Sequence, residues 1–192
     1  IILLAMIAGF IILRLRNILG RKTGHQEKAF SDFADKKFEQ FKKASTVRDT
    51  KPKNEFDAKD KKQFLKGAEI AYESILTSFS TGDLIKLKSL LSTNMFSNFS
   101  EAIKSRNKEG IKSEFTFIGV KESSVEKYEK IKDNLFATVK FVAEVISVKK
   151  DQQNKIIEGN PDKIKFVTDS WKFTRNIKQK DLNWYLSEII GK

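Results

Sequence analysis

Cysteine is absent from the sequence, which excludes disulfide scaffolds, thiolate metal sites and cysteine nucleophiles together. Histidine occurs once, at His25, so multi-histidine metal centres are excluded and a histidine-dependent hydrolase has little to work with. Proline occurs twice and glycine nine times. Arginine is scarce as well, with six residues against 31 lysines. Sequence-specific DNA readers lean on bidentate arginine, so no DNA partner is expected. What is present is a basic chain of 192 residues with 16 Phe and a formal charge of +12. That length suffices for one domain of ordinary size plus an appendage.

The appendage is apolar. Residues 1–13, IILLAMIAGFIIL, contain no charged or strongly polar side chain, and Arg14 and Arg16 close the run. As a helix, 13 residues span roughly 20 Å, short of a hydrocarbon core about 30 Å thick. The chain opens on Ile1, and a few more apolar residues upstream are expected to complete a span. Three readings compete. A cleaved signal peptide wants positive charge before the apolar run and a small-residue cleavage site after it, whereas here the charge follows. A buried core helix seldom lacks a polar face. A single transmembrane anchor over 1–16, carried by Ile1, Leu3, Leu4, Ile7, Phe10, Ile11 and Leu13, fits the pattern.

The charge is unevenly spread. Residues 14–53 hold 12 basic and 5 acidic side chains, a net of +7, and the remaining +5 is diluted over 54–192. The basic flank Arg14, Arg16, Arg21 and Lys22 predicts, by the positive-inside rule, a single-pass inner-membrane protein with its C-terminal domain on the cytoplasmic side, or the matrix side in a mitochondrion. The same four side chains suit anionic lipid headgroups, at about 1 kcal/mol each, or serve as a plain stop-transfer flank.

Residues 17–55 read as a basic juxtamembrane segment. Within it, 26–44 place Phe30, Phe33, Phe38 and Phe41 on one broad helical face with Lys, Glu and Asp opposite. No other apolar residue is near, so this amphipathic helix must lie on the bilayer interface, on a partner or on the following domain. STVRDTKPKN at 45–54 is a linker, and the domain proper is expected over 56–192.

From Asp57 the period is helical. Phe64, Ala68, Ala71, Tyr72, Ile75, Leu76 and Phe79 form a continuous stripe ended by Ser80-Thr81-Gly82. Asp83 is the expected cap of a second helix through Leu84, Leu87, Leu90 and Leu91. Asn94 is the expected cap of a third, with Met95, Phe96, Phe99, Ala102 and Ile103 inside and Gly110 as its stop. The period then changes to two. Strands are expected at 111–121, with a bulge at Gly119, at 124–131, at 135–148, at 163–178 and at 183–190, with a hairpin turn at Lys132-Asp133-Asn134. Three helices followed by a four- or five-stranded antiparallel meander make an α+β domain. A long apolar helix facing a curved sheet leaves a cavity, and the residues expected to line it are Phe64, Ala68, Tyr72, Leu76, Val139, Phe141, Trp171, Phe173, Arg175 and Trp184. Plain core packing competes with that role at Tyr72. Arg175 has three readings: an ion pair, a carboxylate partner or an anionic headgroup. Asp169, alternating with Trp171, is the best-placed pocket acid, but no catalytic constellation surrounds it.

The stretch 66–92, KGAEIAYESILTSFSTGDLIKLKSLLS, with MFSNFSEAI at 95–103 and WKFTR at 171–175 before Trp184-Tyr185-Leu186, resembles the Tim-forty-four-like domain. That domain is the C-terminal part of the subunit anchoring the import motor at the mitochondrial inner-membrane translocase. Residues 1–24 are similar to the membrane-anchored bacterial members of alphaproteobacterial type. The resemblance implies a cone-shaped fold of the nuclear-transport-factor-two-like type, three helices packed on a curved antiparallel sheet, with an apolar pocket for a partner segment or lipid. It also implies membrane association and an adaptor role in protein translocation or membrane-protein assembly, with a translocase, a chaperone or a ribosome as partner. With no catalytic constellation among its residues, the chain is expected to be non-enzymatic, without metal or cofactor. Two alternatives remain open: a factor tethering ribosomes to the membrane, since a mitochondrial large-subunit ribosomal protein is similar in this domain, and a pocket enzyme of the same fold.

Overall fold

Helix α1, Ala58–Thr81, exists because its apolar residues recur every three or four positions and find a sheet to cover. The computed structural model describes residues 58–181 and 183–191, so the expected anchor, the Phe-striped helix and the linker lie outside the described residues. Phe64, Ala68, Ala71, Tyr72 and Ile75 of α1 are all buried, as the stripe predicts. Gly82, at φ +78°, turns the chain out of the helix. The Asp83 side chain then accepts from the Lys86 N–H at 2.9 Å and caps α2, Leu84–Lys88.

Helix α2 is shorter than its leucine pattern. Leu90 and Leu91 fall outside it because the backbone there is taken by the sheet: the Leu186 N–H donates to the Leu90 carbonyl, and the Ser92 N–H to the Leu186 carbonyl, both at 2.9 Å. Helix α3, Thr93–Lys108, is capped by Ser92 rather than by Asn94. Ser92 has extended backbone angles and its hydroxyl accepts from the Met95 N–H, whereas Asn94 is already one residue inside the helix.

The sheet has five strands: β1 Lys112–Ile131, β2 Asn134–Lys150, β3 Ile156–Gly159, β4 Lys165–Asn176 and β5 Tyr185–Ile190. Its order is β1-β2-β4-β5, with the short β3 pairing the far end of β2, and every strand pair is antiparallel. The two strands expected over 111–121 and 124–131 are one strand. Register shifts at Phe117/Gly119, Val120/Glu122 and Val125/Lys127 absorb the breaks in alternation that made it read as two. Strand β3 was not anticipated, and β4 stops at Asn176, leaving Ile177 to donate its N–H to the Asp133 carbonyl in the hairpin turn at 2.9 Å.

Residues Ala137, Val139, Phe141, Ala143 and Val145 of β2 alternate inward and are all but inaccessible, as expected. Across the β2–β4 register Val139 faces Trp171 and Ala137 faces Phe173, so one apolar face runs across three strands to Leu186 of β5. Leu87, Leu90, Leu91, Met95, Phe99 and Ile103 complete the same core from the helices. The result is an α+β domain with an antiparallel sheet and three helices among the described residues.

Candidate binding site

The aromatic face between α1 and the sheet was the expected pocket, and its geometry is that of a close-packed cluster. Tyr72 stacks on Phe141, with centroids 4.4 Å apart and planes at 19°, and leans on Trp171 at 4.5 Å. Its edge meets Phe117 at 6.0 Å. Phe173 meets Phe64 edge-on at 6.1 Å, and Phe64 reaches Trp184 at 4.7 Å. Aromatic pairs of this kind add about 0.5–1.5 kcal/mol each beyond area burial. Of the ten expected lining residues, seven are buried against one another: Phe64, Ala68, Tyr72, Val139, Phe141, Trp171 and Phe173. The other three, Leu76, Arg175 and Trp184, are half-buried.

Asp169 does share the inward face with Trp171, since it sits opposite Phe141. There the buried Tyr72 hydroxyl donates to Asp169 Oδ2 at 2.7 Å. A phenol taken out of water needs an acceptor, and Asp169 supplies it. Among the described residues no group of three His, Asp or Glu side chains is placed to hold a metal ion.

Arg175 ends the aromatic cluster. Its guanidinium carbon lies 5.8 Å from the Trp184 ring centroid, and its Nε–H is buried without a hydrogen-bond acceptor. The nearby Tyr128 phenol is pushed above its ordinary value, first by burial and also by Asp60, while the Arg175 cation opposes the shift.

A second feature lies apart from the expected site residues. A cavity of about 510 Å³ opens between the first half of α1 and the middle of β1, lined by Lys61, Lys62, Leu65, Lys66, Glu69 and Ser123. The Ser123 hydroxyl donates to Glu69 Oε1 at 2.6 Å and ties strand to helix at one end. The signal was present in the sequence as KDKKQFLK at 59–66, whose lysines fall on the face of α1 beside the buried stripe. What the sequence did not show is which strand lies opposite.

The Tim44-like domain matches residues 53–191, and the chain belongs to that family. Among solved structures, the intermembrane space region of the chloroplast protein ARC6 matches with a TM-score of 0.46 at 12% identity, over 67% of this chain and 97% of that one. No curated protein matches the chain.

Proposed function

We propose that the chain is a non-enzymatic, single-pass membrane protein acting as an adaptor in protein translocation or membrane-protein assembly, with its Tim44-like domain on the cytoplasmic side of the inner membrane. The observation that carries this reading is the joining of a Tim44-like domain, 53–191, to the apolar run IILLAMIAGFIIL and its basic flank. The non-enzymatic part of the reading is supported by Asp169, which accepts from the buried Tyr72 hydroxyl. Among the described residues no helix is long and apolar enough to cross a membrane. The anchor of this reading is the apolar run within residues 1–16. Arg14, Arg16, Arg21 and Lys22 meet anionic headgroups, and Phe30, Phe33, Phe38 and Phe41 lie on the interface or on a partner. The half-buried Trp184 and Arg175 favour that end of the aromatic cluster as the place where an apolar partner segment or a lipid engages the domain.

Alkaline carbonate extraction of membranes tests the anchor. The intact chain is expected to stay with the lipid, and its release as a soluble protein overturns the reading. Photo-crosslinking from position 184 in living cells tests the adaptor role. Adducts to translocase, chaperone or lipid are expected. Adducts to ribosomal proteins, with salt-sensitive co-sedimentation, favour ribosome tethering instead.

A further inference from the structure

The basic cavity beside β1 belongs neither to the anchor nor to the aromatic cluster. Its charge follows from helix spacing: Lys62 and Lys66 are four residues apart and share a face, Lys61 stands beside them, and Leu65 lies three and four residues from Lys62 and Lys61. Leu65 is half-buried between the exposed lysines. None of the three lysines forms an ion pair or hydrogen bond among the described residues. The one carboxylate of the lining, Glu69, accepts from Ser123. Of the acids further along β1, Glu126 Oε2 accepts from Ser170 at 3.0 Å and Glu129 pairs with Lys127 at 2.8 Å. The cavity therefore presents three lysines against one carboxylate around an apolar floor, in a volume typical of ligand clefts.

We propose that this groove docks an acidic peptide segment of a partner protein, with Asp or Glu side chains on Lys61, Lys62 and Lys66 and an apolar side chain on Leu65. From Lys61 to Glu69 the helix advances about 12 Å, the length of roughly four extended residues. This chain's own N-terminal segment is disfavoured as the occupant by the net +7 of residues 14–53. A second copy is disfavoured by the +12 that each would bring. Nucleic acid is disfavoured because no aromatic or arginine side chain lines the cavity to stack on bases. A bilayer presents a plane, which would meet the lysine ammoniums without entering the recess to reach Leu65.

The probe is a fluorescein-labelled octapeptide alternating Glu and Leu, titrated by anisotropy against the full chain in a mild non-ionic detergent. Saturable binding that weakens as salt rises is expected. Lys66→Glu should weaken it several-fold, and the Lys62→Glu/Lys66→Glu pair about tenfold or more. Lys104→Glu, an equal change of net charge on the exposed face of α3, should leave it unchanged, and Leu65→Asn should weaken it while thermal melts show the fold retained. Absence of binding, or equal loss in Lys66→Glu and Lys104→Glu, overturns the proposal. So does groove-dependent binding of phosphatidylglycerol vesicles without binding of the peptide, which would assign the groove to the membrane. The anchor is read separately by carbonate extraction, so failure of one leaves the other standing.

Discussion

Tyr72 concentrates most of what single residues do in this protein. Its ring fills the space between Phe141 and Trp171, and its hydroxyl ends on Asp169. Tyr72→Phe keeps the ring and removes one buried hydrogen bond, so it should cost about 1–2 kcal/mol in urea unfolding. Trp171→Ala empties the centre of the same cluster and should cost about 3–5 kcal/mol. Two glycines behave oppositely. At Gly159, φ is +87° and an added Cβ would lie 2.0 Å from the Ser147 carbonyl oxygen, so Gly159→Ala should lose more than about 2 kcal/mol. At Gly119 nothing lies within 4 Å of such a Cβ, and Gly119→Ala should change stability by less than about 1 kcal/mol. Tyr128 adds a pH dependence. Its folded pKa is raised above 10.0, so the folded chain holds that proton more tightly than the unfolded one. The resulting stability is complete below pH 10.0 and is lost as pH rises through the higher folded value. Lys165, lowered from 10.5 chiefly by burial, acts in the opposite direction below that pH. The readout is therefore the difference between the parent and Tyr128→Phe: above pH 10.0 the parent should lose the more stability.

At the scale of elements, the helices follow local periodicity and the strands follow their neighbours. The stripe of α1 and the cap at Asp83 could be read from side chains a few residues apart, because an α-helix is closed by local bonds. Strand β1 could not be delimited that way. Its inward residues lose their alternation at three bulges, and only pairing with β2 keeps 20 residues in one strand. The same holds for α2, cut short where Leu90 and Ser92 bond to Leu186, nearly a hundred residues later in the chain. Ser and Asn are comparable capping types, so local chemistry does not choose between neighbouring candidates; Ser92→Ala should cost about 0.5–1 kcal/mol while Asn94→Ala costs nothing measurable in thermal melts.

At the scale of the molecule, the core of the described residues runs from Phe64 to Leu186, within the span of the Tim44-like domain. Both tryptophans, Trp171 and Trp184, belong to it, so tryptophan fluorescence reports on this domain alone. A fragment spanning residues 53–192 should unfold in urea in one transition, with fluorescence and far-ultraviolet dichroism coinciding. Separated transitions would show that the fragment does not fold as one cooperative unit. The sequence by itself determined the family, the α+β order of elements, the inward face of β2 and the placing of most of the net positive charge behind an apolar run. All of these are properties of residues near one another along the chain. The tertiary structure alone decided that the aromatic wall meets itself, and that the lysines of α1 stand over Ser123 to bound a recess. Both depend on where a helix comes to rest against a strand some sixty residues further on. That position is set by the summed packing of the whole core, and no local pattern encodes it.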